Sequence, residues 1–159
     1  GGKCMAIISS LMKTEMITVR PNDLVADAAR SMAQNNVGAV LVVEDGVLKG
    51  ILSERDVLIR VVAEGKDPAA THVSEVATTE VISVDIDTHV RKCAEMQFAV
   101  GVRHLPVTEN GKPVGILSSR DFLAYVAEGL ERVIDKLDYA ETLGEGEDPY
   151  DHIGGSYGK

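Results

Sequence analysis

Apolar residues recur along this chain in two rhythms, and the rhythms come in the same order twice. Short apolar-rich runs at 16–19 and 81–84 predict strands. Val25, Ala28, Ala29 and Met32, and later Val90, Cys93, Ala94 and Phe98, fall at helical spacing. They predict helices over 24–35 and 89–99 with those residues facing a core. Apolar stretches at 37–44 and 47–53, and again at 102–108 and 112–118, predict paired strands. Asp45-Gly46 and Asn110-Gly111 join them, and both dipeptides favour tight hairpin turns. Each series closes with a helix, one from 54 to about 64 and one from 119 to about 138. Gly65 and Pro68 end the first.

The repetition extends to the letters themselves, at an offset of 65 residues. "TEMITV" (14–19) returns as "TEVISV" (79–84), and "VLVVEDGVLKGIL" (40–52) as "LPVTENGKPVGIL" (105–117). "GILSERD" (50–56) returns as "GILSSRD" (115–121). An internal duplication decides the architecture. Each unit reads β-α-β-β-α, and one such unit, with a one-sided sheet, is too small to bury a stable core. The expected fold is therefore α+β in two layers, with tandem β-α-β-β-α motifs packed sheet to sheet about a pseudo-twofold axis. The expected boundaries are an N-terminal extension at 1–7, motif 1 at 8–65, a linker at 66–72 and motif 2 at 73–138. A Gly-rich acidic tail at 139–159 is expected to be flexible.

Composition narrows the function. A net charge of −9 argues against nucleic acid and anionic membrane surfaces, which need a basic face. No apolar run reaches the roughly 18 residues of a membrane span. Cys4 and Cys93 are too few for a disulfide framework, and Cys93 falls on a predicted core face. These features suggest a reducing, cytoplasmic setting. Enzyme signatures are lacking: Pro113 follows Gly111-Lys112, so no P-loop forms, and no G-x-S-x-G occurs. The histidines at 72, 89, 104 and 152 lack metal-ligand spacing.

The repeated phrase carries the candidate chemistry. Ser53 and Asp56, and Ser118 and Asp121, have the spacing of a helix N-terminal capping box. A cap does not explain Arg55 and Arg120, which place cations at the positive end of a helix dipole in both copies. A shared anionic ligand does, because helix N-termini bind phosphate. Arg103 and His104 interrupt an apolar strand where the first unit has Gly38 and Ala39. One half thus supplies cationic bulk and the other supplies room. Asp56 and Asp121 are then placed to accept ribose hydroxyls, and Met16, Ile17, Val81 and Ile82 to flank a flat base. A second reading needs no ligand. Leu123, Val126, Leu130, Val133, Ile134 and Leu137 form a stripe longer than one unit needs, and "VLIRVV" (57–62) is apolar on nearly every side. Such surfaces suit a homodimer through terminal helices.

With the doubled phrase, the "TEMITV" and "TEVISV" openings and "VRHLPV" (102–107), residues 8 to 130 resemble a pair of cystathionine-beta-synthase (CBS) domains, or Bateman module. The resemblance implies a non-catalytic regulatory protein that binds AMP, ADP, ATP, S-adenosylmethionine or NAD(H) and signals to a regulated partner. It implies Asp56 and Asp121 on ribose, and Ser53, Arg55, Ser118 and Arg120 on phosphate or ribose. It further implies Arg103 and His104 on phosphates, with Thr14 to Met16 and Thr79 to Val81 around the base. Ala77 stands where many members have Met, and Gly38-Ala39 replaces the basic pair in the first unit.

Overall fold

The computed structural model describes residues 8–144. The expectations for 1–7, including Cys4, and for 145–159 lie outside the described residues. The elements are a 3₁₀ turn Ile8–Ser10, β1 (Thr18–Val19), α1 (Val25–Asn35), β2 (Ala39–Glu44), β3 (Val47–Ser53) and α2 (Glu54–Val57). A π-helical turn, Leu58–Val62, continues α2. Then follow α3 (Val73–Val76), β4 (Val84–Asp85), α4 (Val90–Val100), β5 (His104–Glu109), β6 (Lys112–Ser118) and α5 (Ser119–Gly144). This is the expected α+β chain, with two three-stranded sheets ordered β1-β2-β3 and β4-β5-β6. In each, the first pair is parallel and the second antiparallel.

The duplication holds in local detail. Asp45 and Gly46 both take positive φ (52° and 75°), as do Asn110 and Gly111 (53° and 77°), the geometry of a two-residue hairpin turn matched to strand twist. Bulges fall at Val42/Val43 and Val107/Thr108. Helices α1 and α4 end on the left-handed residues Asn36 and Gly101.

What joins the two copies is reciprocal. Lys13, just before β1, exchanges both backbone hydrogen bonds with Ile116 of β6, at 2.9 and 3.0 Å. Thr78, its counterpart, does the same with Ile51 of β3, at 2.9 Å each way. The leading segment of each motif therefore belongs to the other motif's sheet. The cores follow: fully buried Val73 and nearly buried Val76 pack with Val25, Val40, Leu52 and Val61, whereas Ile8 packs with Leu105, Val107 and Leu117. These crossings also explain the glycine of each repeated phrase. A Cβ at Gly50 would lie 2.9 Å from the Thr78 carbonyl oxygen, and one at Gly115 would lie 3.0 Å from that of Lys13.

Three expectations need correction. The strands expected at 16–19 and 81–84 are shorter, and the second begins one residue later than its counterpart. Thr18 pairs with Leu41, but the matching partner of Ser83 is Pro106, which has no N–H to give; pairing starts at Val84 with Val107. Phe98, expected on the core face, is 94% exposed. Gln97 takes the inward place held by Met32 in α1, and its side-chain amide donates to the Leu117 carbonyl at 3.1 Å. The stretch expected as a linker at 66–72 is docked on the first motif, where Thr71 is buried and its carbonyl accepts from the Val25 amide at 2.9 Å. Finally, α5 passes its expected end near 138 and reaches Gly144, since no glycine or proline interrupts it there.

Gly50→Ala should lower stability by about 1–3 kcal/mol, the usual cost of overpacking against groups that cannot yield. Gly129→Ala in α5, with nothing within 4 Å of the added methyl, should raise it by up to about 1 kcal/mol through helix propensity. Urea denaturation midpoints of the two variants, shifted in opposite directions, check the pair.

Candidate functional site

Each closing helix begins where a strand ends, so its first turn is anchored to a sheet. The Ser53 amide donates to Asp56 Oδ2 at 2.9 Å, and the Asp56 amide donates back to Ser53 Oγ at 3.1 Å. In the second copy the Ser118 amide and hydroxyl both donate to Asp121 Oδ2, at 3.2 and 2.7 Å, and the Asp121 amide donates to Ser118 Oγ at 3.1 Å. The repeated phrase is therefore a cap in both motifs. The cap does not use up the acid: Asp121 Oδ1 faces the Lys13 ammonium at 3.7 Å, and Asp56 Oδ1 faces Arg60 Nε at 3.9 Å. The arginine between serine and aspartate points elsewhere. Arg55, Arg103 and Arg120 are exposed, and none forms an ion pair with a described residue.

Two pockets lie along the seam between the sheets, related by the duplication. The larger, about 720 Å³, is lined by Met16, Ile17, Gly38, Ala39, Arg103, His104, Ser118, Arg120 and Asp121, among others. The smaller, about 240 Å³, holds the counterparts Val81, Ile82, Ser53, Arg55 and Asp56, and shares Arg103 and His104 with the first. Most of the residues singled out in the sequence line one pocket or the other. Thr14 and Thr79 line neither; Lys13 and Glu15 take that place in one pocket, and Thr78 and Glu80 in the other.

The size difference has a local cause. A Cβ built on Gly38 would lie 3.4 Å from His104 Nε2 and 3.5 Å from Glu54 Oε1. The imidazole and the carboxylate thus converge over the bare backbone of Gly38. Glu54 lines both pockets, and sequence reasoning missed that role. Its counterpart, Ser119, carries no charge, and that mismatch within the repeat was the available signal. Burial pushes the His104 pKa below its usual value; the Glu54 carboxylate opposes that shift, Arg103 adds to it, and Asp121 opposes it. Asn36, at the left-handed end of α1, also enters the larger pocket and was not anticipated. Among the described residues no cluster of three or more His, Cys, Asp and Glu side chains forms a metal site. None of their helices is long and apolar enough to cross a membrane.

Comparisons with known proteins bear on the family and the fold. The family model described as "CBS domain" matches residues 8–63 and 73–128. The CBS domain-containing protein YhcV of Bacillus subtilis is 38% identical over 117 residues, covering 74% of this chain and 83% of its own. A crystal structure of a CBS domain superposes with a TM-score of 0.73 at 33% identity, over 77% of this chain and 98% of that one. A Burkholderia ambifaria protein with CBS domains, provisionally named for signal transduction, gives 0.72 at 32% identity, over 76% and 93%.

Because its folded-state pKa is depressed, His104 resists protonation in the native protein while the unfolded chain accepts the proton near pH 6.5. Stability should therefore fall as pH drops through that value, and the penalty should stop growing below the folded pKa. His104→Gln should flatten this part of the profile. Thermal melts of both proteins between about pH 7.5 and 5 check the sign.

Proposed function

Since the chain belongs to the CBS domain family and carries two copies of its motif, we propose that it is a regulatory module that binds an adenine nucleotide in its larger pocket and signals occupancy to a partner protein. The observation that carries this reading is the convergence of Arg103, His104, Ser118, Arg120 and Asp121 with the aliphatic residues Met16 and Ile17 in one cleft. Arg103, Arg120 and the first amides of α5 suit phosphate oxygens. Asp121 Oδ1, which the cap leaves unused, suits ribose hydroxyls at the expense of its contact with Lys13. Met16, Ile17 and Val37 offer an apolar floor to the base.

The smaller pocket is a poorer host. Its volume lies below the roughly 300 Å³ at which small-molecule sites begin. It sets Glu54, Asp56 and Glu80 against Arg55 and Arg103, an excess of acid, whereas the larger balances Lys13, Arg103 and Arg120 against Glu15, Glu54 and Asp121. One nucleotide per chain is the expected stoichiometry. AMP, ADP, ATP and NAD(H) all carry the phosphate that the arginines require. S-adenosylmethionine does not, and ranks below them. A reducing compartment such as the cytoplasm suits the buried free thiol of Cys93, whose pKa burial pushes up.

Calorimetric titration with AMP, ADP, ATP and NAD tests the reading. Asp121→Asn, Arg120→Ala and Arg103→Ala should each weaken binding about 10- to 100-fold, since hydrogen bonds to charged groups are worth about 1.5–3 kcal/mol. Arg55→Ala and Asp56→Asn should change it little. A bound phosphate raises the depressed His104 pKa, so affinity should also increase as pH falls from about 7.5 to 6. Unchanged affinity in both Asp121→Asn and Arg120→Ala would leave the repeated phrase as a cap and nothing more.

A further inference from the structure

Each closing helix hangs its first amide on the residue just ahead of its motif's central strand. The Glu54 amide donates to the Gly38 carbonyl at 2.9 Å, and the Ser119 amide donates to the Arg103 carbonyl at 2.8 Å. The two backbone bonds are equivalent, but the side chains they join are exchanged in character. In the second motif an uncharged serine is tied to a cationic residue; in the first, an acid is tied to a glycine. That bond fixes the root of Glu54 at the wall of both pockets. From there its carboxylate shares the open face of Gly38 with the His104 imidazole.

Glu54 forms no ion pair with a described residue. Its field still reaches the site. Burial lowers the His104 pKa, and of the charges acting on that imidazole Glu54 is the strongest, ahead of Arg103 and Asp121. An acid that favours a positive imidazole disfavours, through the same field, a negative phosphate beside it. The larger pocket has no surplus cation to offset this, because Lys13, Arg103 and Arg120 are matched by Glu15, Glu54 and Asp121. Each phosphate beyond the first therefore adds negative charge against Glu54 with no further cation to meet it. We propose that Glu54 is a specificity residue of the larger pocket, which limits the ligand to a nucleoside monophosphate by repelling the longer phosphate chains of di- and triphosphates. This inference rests on the nucleotide reading above and names the member of that class which the pocket prefers.

Calorimetric titration of the full chain with adenosine, AMP, ADP and ATP, in buffer free of divalent cations, tests the proposal. The unaltered chain should bind AMP more tightly than ADP, and ADP more tightly than ATP. Glu54→Gln keeps the size of the side chain and removes its charge. It should tighten ATP binding roughly 10-fold and AMP binding roughly 3-fold, and leave adenosine unchanged. Glu54→Ser, which copies the other motif, should move the AMP-to-ATP ratio the same way. Glu44→Gln, at the far end of β2 and outside both pockets, removes an equal charge and should leave that ratio as it is. An ATP preference in the unaltered chain, a ratio unmoved by Glu54→Gln, or an equal gain for adenosine (the mark of altered packing, not charge) would each overturn the role of Glu54 and leave nucleotide binding standing. A chain that takes none of the four ligands would overturn the nucleotide reading, and the role of Glu54 with it.

Discussion

Two short backbone crossings hold the duplicated fold together. At each, a residue ahead of the first strand of one motif shares a pair of hydrogen bonds with the last strand of the other: Lys13 with Ile116, and Thr78 with Ile51. The crossing backbone runs so close to the strand that the residue beneath it must be glycine. The two cores depend on this exchange. Val73 and Val76 belong by sequence to the second motif, yet they seal the first core, and a buried valine contributes about 1.5–3 kcal/mol. Their combined contribution is comparable to much of the net stability of a small domain, roughly 5–15 kcal/mol.

The crossings also set up the pockets. They draw the last strands and the helix starts that follow them toward a common seam, where the leading segments supply aliphatic walls. On a perfectly repeated chain the two pockets would be equal. They differ because the position that is Arg103-His104 in one motif is Gly38-Ala39 in the other. The bulky pair stands at the shared wall, and the glycine opposite leaves its side volume to one pocket alone. Asymmetry within the repeat turns what would be two equal pockets into one roomy pocket and one cramped one.

Much of this was legible in the sequence. The 65-residue offset, the paired hairpin turns and the two capping phrases gave the order of elements, since each depends only on local chemistry. The features that escaped were those set by partners far away in the chain. Phe98 has the right spacing for a core residue, but Gln97 was drawn inward by a carbonyl on β6. Pro106 reads as a strand residue, and its missing donor matters only because a parallel neighbour would have used it. Gly50 and Gly115 look like ordinary strand glycines until the crossing segment is placed above them. Thr14 and Thr79 missed the pockets by a single position, since their neighbours on either side carry the lining.

The exchanged leading segments also make each motif dependent on the other. A single β-α-β-β-α motif, with its own leading segment reaching away, has no residue to play the part of Val73 and Val76 or of Ile8. A lone motif is therefore complete only when a second copy lends it that leading segment. On one polypeptide the two copies need not carry the same residue at each position, as Gly38 and Arg103 show.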